Sequence, residues 1–233
     1  MINNKHTYTH KLAARTFGVF FIIAFLSYGI GSGLVDSIVS VPDFLTHISE
    51  NKITIIIGVI LMALIHTIVN IGLPVLMLPI LKPFNKTLSY GYLSAAITAT
   101  ILLAVGTIFL LLLLPLSDEY IKLGAFNTSY FETIGTLLKK GGFYSYQIGM
   151  AIWGFGGLLF CSLLNKAKLV PRFFLVWGFV GYIIFITGTI LELFGYEVGV
   201  LLSIPGGLFE VSLSVWLIIK GFNVSKLIKI TKG

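Results

Sequence analysis

The chain has 233 residues, of which 57% are hydrophobic and only 11% charged, with a formal net charge of +7. A soluble domain carries about 25% charged residues; here the mean hydropathy is +0.99, which excludes a water-facing globular domain and points to a bilayer. The positive balance does not indicate nucleic acid, because the basic residues sit in short pieces between apolar runs and not on one face among stacking aromatics. The single cysteine, Cys161, lies inside an apolar run, so an intrachain disulfide is excluded and no cysteine-based metal site is supported.

Apolar runs occupy nearly the whole length and predict one all-α domain over 1–233, a polytopic bundle of six transmembrane helices. The first span is 12–35, after a tail holding Lys5, His6, His10, Lys11 and Arg15. Its core from Phe17 to Val35 is about 19 residues, longer than a signal-peptide core, so a retained helix is expected. Gly29 and Gly33 form a GxxxG, a pattern that permits close helix approach. Between Asp36 and Lys52, Ser40 and Pro42 resemble a helix start, and Phe44, Leu45 and Ile48 share a face, which predicts a short surface helix.

The second span, 53–81, contains His66, Asn70, Pro74 and Pro79, and a kink is expected near Pro74. After Lys82-Pro83-Phe84-Asn85 comes the third span, 88–114, whose polar residues are the small Ser94, Thr98, Thr100 and Thr107. Pro115 to Gly142 then reads as the longest connection, with Tyr130, Phe131, Ile134, Leu137 and Leu138 forming an amphipathic stripe suited to interfacial docking or to a lid. The fourth span, 143–164, is glycine-rich and holds Gln147 and Trp153; the fifth, 173–194, has Glu192 near its far end; the sixth is 198–220.

With the N-terminus cytoplasmic, the inner pieces hold Lys5, Lys11, Arg15, Lys82, Lys86, Lys166, Lys168, Arg172, Lys220, Lys226, Lys229 and Lys232, against Lys52, Lys122, Lys139 and Lys140 outside. The positive-inside rule therefore predicts both termini in the cytoplasm. Trp177 and Trp216 fit an inner interfacial belt, and Tyr90, Tyr92, Tyr144 and Tyr146 also lie near segment ends.

One residue stands out. Glu210 lies at the midpoint of the sixth span, where a carboxylate costs roughly 2.5–3.5 kcal/mol to insert. By count of residues His66 lies at the same depth, and Asn70 follows one turn along the same helical face. Lipid exposure is unfavourable for all three, which predicts a shared intramembrane cluster in the bundle interior. The bland alternative is a protonated Glu210 donating to a neighbour, with His66 and Asn70 as ordinary interhelical contacts. Pro205, Gly206 and Gly207, one turn before Glu210, are a candidate helix break, of the kind that exposes backbone groups in transporters. Glu192 and Gln147 are weaker site candidates. No HExxH, no i, i+4 histidine pair within a helix, no GxSxG, no Walker loop and no CxxC is read; His6, His10 and His47 fall in a tail and a loop. No metal and no cofactor is expected.

The stretches LLNKAKLVPRFFLVWGFVGY and PGGLFEVSLSVWLIIKGF resemble the C-terminal half of a bacterial six-helix membrane family, domain of unknown function 4386, and LAARTFGVFFIIA and LMLPILKPFN are similar to its N-terminal half. The pieces that carry the resemblance are LVPR, with Pro171 and Arg172, and the pattern of Phe209, Glu210, Trp216, Lys220, Gly221 and Phe222. It implies a six-helix bundle in a bacterial cytoplasmic membrane and supplies no activity. Members of the family often carry an arginine and a glutamate in the third helix after a Gly-Tyr pair; here Gly91-Tyr92 is followed by Leu93, Ser94, Ala95, Ala96, Ile97, Thr98 and Ala99, without charge. The expected partner is the lipid bilayer, with nucleic acid excluded, protein partners unspecified and self-association left open. Three functions are compatible: a small permease or proton-coupled transport protein using Glu210, His66 and Asn70; an intramembrane enzyme on a lipid or apolar substrate; and a non-catalytic assembly, sensor or immunity protein. The first is the sharpest of the three, and the enzyme ranks lower because no nucleophile or metal motif is visible.

Overall fold

The computed structural model describes residues 2–124 and 128–223, with side chains from His10 onward except that of Thr128. Lys226, Lys229 and Lys232 lie outside the described residues, as do the side chains of Lys5 and His6. Nine α-helices and no strand occur among the described residues: α1 (Ile2–Val39), α2 (Phe44–Glu50), α3 (Lys52–Val59), α4 (His66–Leu81), α5 (Lys86–Leu111), α6 (Leu113–Lys122), α7 (Thr128–Ala167), α8 (Arg172–Leu193) and α9 (Gly199–Lys220). Six helical rods, His10–Val39, Lys52–Leu81, Lys86–Lys122, Ser129–Ala167, Arg172–Leu193 and Gly199–Lys220, are long and apolar enough to cross a membrane. The six-span reading holds.

The spans form a ring in chain order. α1 packs on α4, α4 on α5, α5 on α7, α7 on α8, α8 on α9, and α9 returns to α1. An even number of crossings brings both described ends to one face, where the Lys11 stem lies against Gly221. That face also carries Arg15, Lys82, Lys86, Lys166, Lys168 and Arg172 and is the basic end. Its core is closed by Phe17, Leu73, Met77, Tyr92, Phe160, Phe209 and Leu217, all buried.

The opposite end differs from expectation. Pro115 to Gly142 is not a long loop. α6 takes up its first part, and α7 runs unbroken for 40 residues through the rest, so the connection between α6 and α7 shrinks to 123–127. At about 1.5 Å per residue α7 is about 60 Å long, twice a hydrocarbon thickness of about 30 Å. Its first turns therefore stand beyond the membrane, where they pack with α2 and α6 into a small second core of Phe44, Leu45, Ile48, Leu113, Tyr120 and Phe131. Of the predicted stripe, Phe131 is buried while Tyr130 and Leu137 are exposed. The interruption between α5 and α6 at Leu112 follows from Pro115, which has no N–H for the Leu111 carbonyl. A salt bridge from Lys52 to Asp118 and a hydrogen bond from the Ser117 hydroxyl to the Leu45 carbonyl tie this capped end together.

Several local readings are corrected. α1 extends beyond 12–35 at both ends, which places His6 and His10 four residues apart on one helix and not in an irregular tail. The surface helix exists, but it starts from Asp43, at φ 55°, and not at Ser40 or Pro42. α4 is continuous through Pro74 and Pro79, and a π-helical turn that the sequence pattern does not predict lies at Ile60–Ile65, just before His66. Such a turn keeps its backbone groups paired inside the segment, which hydrocarbon requires. α9 is likewise continuous through Pro205, Gly206 and Gly207. The tyrosines divide: Tyr90 and Tyr144 are exposed, Tyr92 is buried.

The GxxxG of α1 is not a contact within the chain: Gly29 and Gly33 face open space. Close approach occurs instead at Gly31, where a Cβ would stand 2.5 Å from the Gly58 carbonyl oxygen. Gly18 against Ser214, and Gly181 against Gly206, make the same kind of contact elsewhere in the ring. Because backbone cannot yield as a side-chain tip can, Gly31→Ala is expected to destabilise the protein by about 1–3 kcal/mol. Gly33→Ala is expected to leave stability unchanged or slightly raised, since alanine favours helix by about 1 kcal/mol over glycine. Thermal unfolding of the two variants in one detergent checks the contrast.

Candidate functional site

A cavity of about 800 Å³ lies between α1 and α7, with α4 and α5 behind it. Asp36, Ser40 and Lys139 line it toward the capped end, and Glu210 of α9, with Asn70 and Trp153, lines it at depth. Below them the stacked rings of Phe17, Phe160 and Tyr92, with centroids 5.2 and 5.0 Å apart, close the way to the basic end. The cavity thus ends short of the basic end.

Glu210 is the twelfth of the 22 residues of α9. Its Oε1 accepts two hydrogen bonds, from Trp153 Nε1 of α7 at 3.0 Å and from Tyr182 Oη of α8 at 2.9 Å. Three helices therefore meet at one oxygen atom, and Oε2 has no donor among the described residues. These bonds answer how a carboxylate is tolerated at this depth: an indole and a phenol, each mostly apolar, supply donors without bringing a second charge into the bilayer. Below the carboxylate, the Phe209 ring fills the space left at Gly178, where a Cβ would be 2.6 Å from Phe209 Cζ.

His66 and Asn70 line the same cavity but do not bond to Glu210. His66 Nδ1 lies 3.1 Å from the Ala24 carbonyl, which can only accept, so the proton sits on Nδ1. Nε2 is buried and has no hydrogen-bond partner among the described residues. Tyr28 meets the imidazole edge-on at 5.0 Å and stacks on Tyr146 of α7 at 5.7 Å. Asn70 Nδ2 donates to Thr100 Oγ1 at 2.8 Å, and Thr100 donates onward to the Ala96 carbonyl, which ties α4 to α5. Thus the uncharged third span still contributes polarity, through a hydroxyl.

The remaining candidates divide. Gln147 is buried and lines the cavity. Glu192 does not reach it: its Oε1 accepts the Gly199 N–H at 2.6 Å and satisfies the first turn of α9. Pro205 and Gly206 serve packing; the Pro205 carbonyl accepts Trp177 Nε1 at 3.0 Å, which directs that indole into the bundle and not toward headgroups. No group of three metal-ligating side chains occurs among the described residues.

Trp153, Tyr182, Tyr28 and Tyr146 are the site residues that sequence reasoning passed over. A signal existed. Trp153 and Tyr182 each lie near the middle of their spans, at the depth of Glu210, and a donor at that depth needs an acceptor. A double-mutant cycle of Tyr182→Phe with Glu210→Gln, read by unfolding in detergent, is expected to give a coupling of about 0.5–2 kcal/mol. The cycle of His66→Phe with Glu210→Gln is expected to stay within about 0.3–0.5 kcal/mol, the range for independent sites.

No curated protein and no solved structure matches the sequence. A family model matches residues 16–221, nearly the whole bundle, from just after Arg15 to the end of α9. The chain is a member of the family described as Domain of unknown function (DUF4386).

Proposed function

We propose that this polytopic protein is a small permease-like carrier that receives its solute in the cavity between α1 and α7, with Glu210 as the residue that engages it. The observation that carries this reading is the cavity, which reaches a carboxylate in mid-membrane and ends there, with the packed rings of Phe17, Phe160 and Tyr92 between it and the basic end. A carrier needs such a dead end in each of its states, and the site lies near the membrane midplane, where carrier sites are built. Oε2 of Glu210, which takes no donor among the described residues, is a polar atom available to a solute. An enzymatic reading is less well supported, since Cys161, the strongest nucleophile by residue type, is packed in the core and does not line the cavity.

The distribution of basic residues supports a placement in which the basic end, with both described termini, is cytoplasmic and the cavity opens outward in a bacterial cytoplasmic membrane. Single-cysteine variants in a Cys161→Ala background test it. Lys122→Cys is expected to react with an impermeant maleimide on intact cells, and Lys168→Cys only after permeabilisation. The reverse pattern would invert the topology.

For the carrier reading the test is flux of small organic solutes in proteoliposomes. Glu210→Gln and Glu210→Leu are expected to lower the flux of a transported solute at least tenfold. Full flux in both variants would remove Glu210 from the mechanism.

A further inference from the structure

The cavity is open sideways as well as toward the capped end. α1 and α9 touch in the basic half, through Gly18 against Ser214 and Lys11 against Gly221. In the other half α9 leans on α8, through Gly206 on Gly181 and Gly199 on Glu192, and turns Val200, Leu201 and Ile204 outward. The wall of α1 facing this gap is uncovered: Phe25 is 52% exposed, and nothing lies within 4 Å of a Cβ at Gly29, although both line the cavity. At this height the surroundings are hydrocarbon, so the gap connects the cavity to the membrane plane.

The chemistry of the walls specifies what enters. Phe21, Tyr28, Tyr146 and Trp153 present ring after ring on the route to Glu210. They are paired across the cavity, with Phe21 on Trp153 at 6.0 Å and Tyr28 on Tyr146 at 5.7 Å. Two carboxylates, Asp36 and Glu210, stand at its two ends. Lys139, the lysine among the described lining residues, is engaged at the rim, donating to the Val39 carbonyl at 3.1 Å with its ammonium 3.7 Å from the Phe44 ring centroid. Aromatic faces attract cations within about 6 Å, and most strongly where water is excluded. A cavity of about 800 Å³ also falls within the usual range for small-molecule sites.

We infer that the cavity binds a monovalent lipophilic organic cation, with its onium centre among Tyr28, Tyr146 and Trp153 beside Glu210 and its apolar groups reaching into the membrane through the α1–α9 gap. This inference rests on the proposed function in that it names the solute of the same cavity.

The experiment is equilibrium binding to the full chain in lipid nanodiscs with three probes of similar shape: tetraphenylphosphonium, the neutral triphenylphosphine oxide and the anion tetraphenylborate. Tetraphenylphosphonium is expected to bind saturably and at least tenfold more tightly than either comparator. Glu210→Gln, which keeps an oxygen for Trp153 and Tyr182, is expected to weaken it at least tenfold. Should that variant not fold, the aromatic contribution is read separately: Tyr146→Phe retains binding, and Tyr146→Leu weakens it at least threefold. Equal affinity for the neutral or anionic probe, absence of saturable binding, or indifference to both Glu210→Gln and Tyr146→Leu would overturn the inference. Selective cation binding without flux would uphold it and remove the carrier reading. Glu210-dependent flux of other solutes without cation binding would do the opposite.

Discussion

Two donors on one oxygen hold the centre of this protein. A carboxylate in hydrocarbon is tolerated when its lone pairs are used, and Glu210 Oε1 takes one N–H from α7 and one O–H from α8. Because the acceptor is on α9, the contact sets the relative depth of three spans. It also leaves Oε2 as the polar atom at the bottom of a cavity. The same bonds that make the acid tolerable present half of it to whatever enters.

The helices around this contact approach through glycine. Without water to drive apolar association, membrane helices depend on close packing and on polar contacts between spans. Gly31 on Gly58, Gly18 on Ser214 and Gly181 on Gly206 bring backbones together at three seams of the ring. Where no such contact exists, between α1 and the first half of α9, the ring stays open. The walls of the opening include the uncovered Gly29 and Phe25.

At the capped end a different physics takes over. α7 is too long for the bilayer, and its first turns lie where water is available. There the chain builds a small soluble-type core on Phe44, Ile48, Leu113 and Phe131, stitched by an ion pair and a hydroxyl bond. This core holds α2 and α6 against α7 and places Lys139 and Asp36 at the mouth of the cavity.

The six spans, their order and the anomaly of Glu210 were legible from the residues alone, because membrane insertion is decided locally, by the length and polarity of each run. Local too was the amphipathy of α2. Depth could be counted, and His66, Asn70 and Glu210 do line one cavity. What counting cannot supply is the angle around the ring. Glu210 turned out to face Trp153 and Tyr182, while His66 turned to Ala24 and Asn70 to Thr100. Gly29 and Gly33 have the motif for close contact and make none, whereas Gly31, between them, makes one. Composition and run length thus determined that this chain crosses a membrane six times with an acid in its last crossing; which residues meet that acid, and that a cavity stands open beside it, was decided by the rotation and seating of each helix against its neighbours, a property of pairs of surfaces and not of any single run.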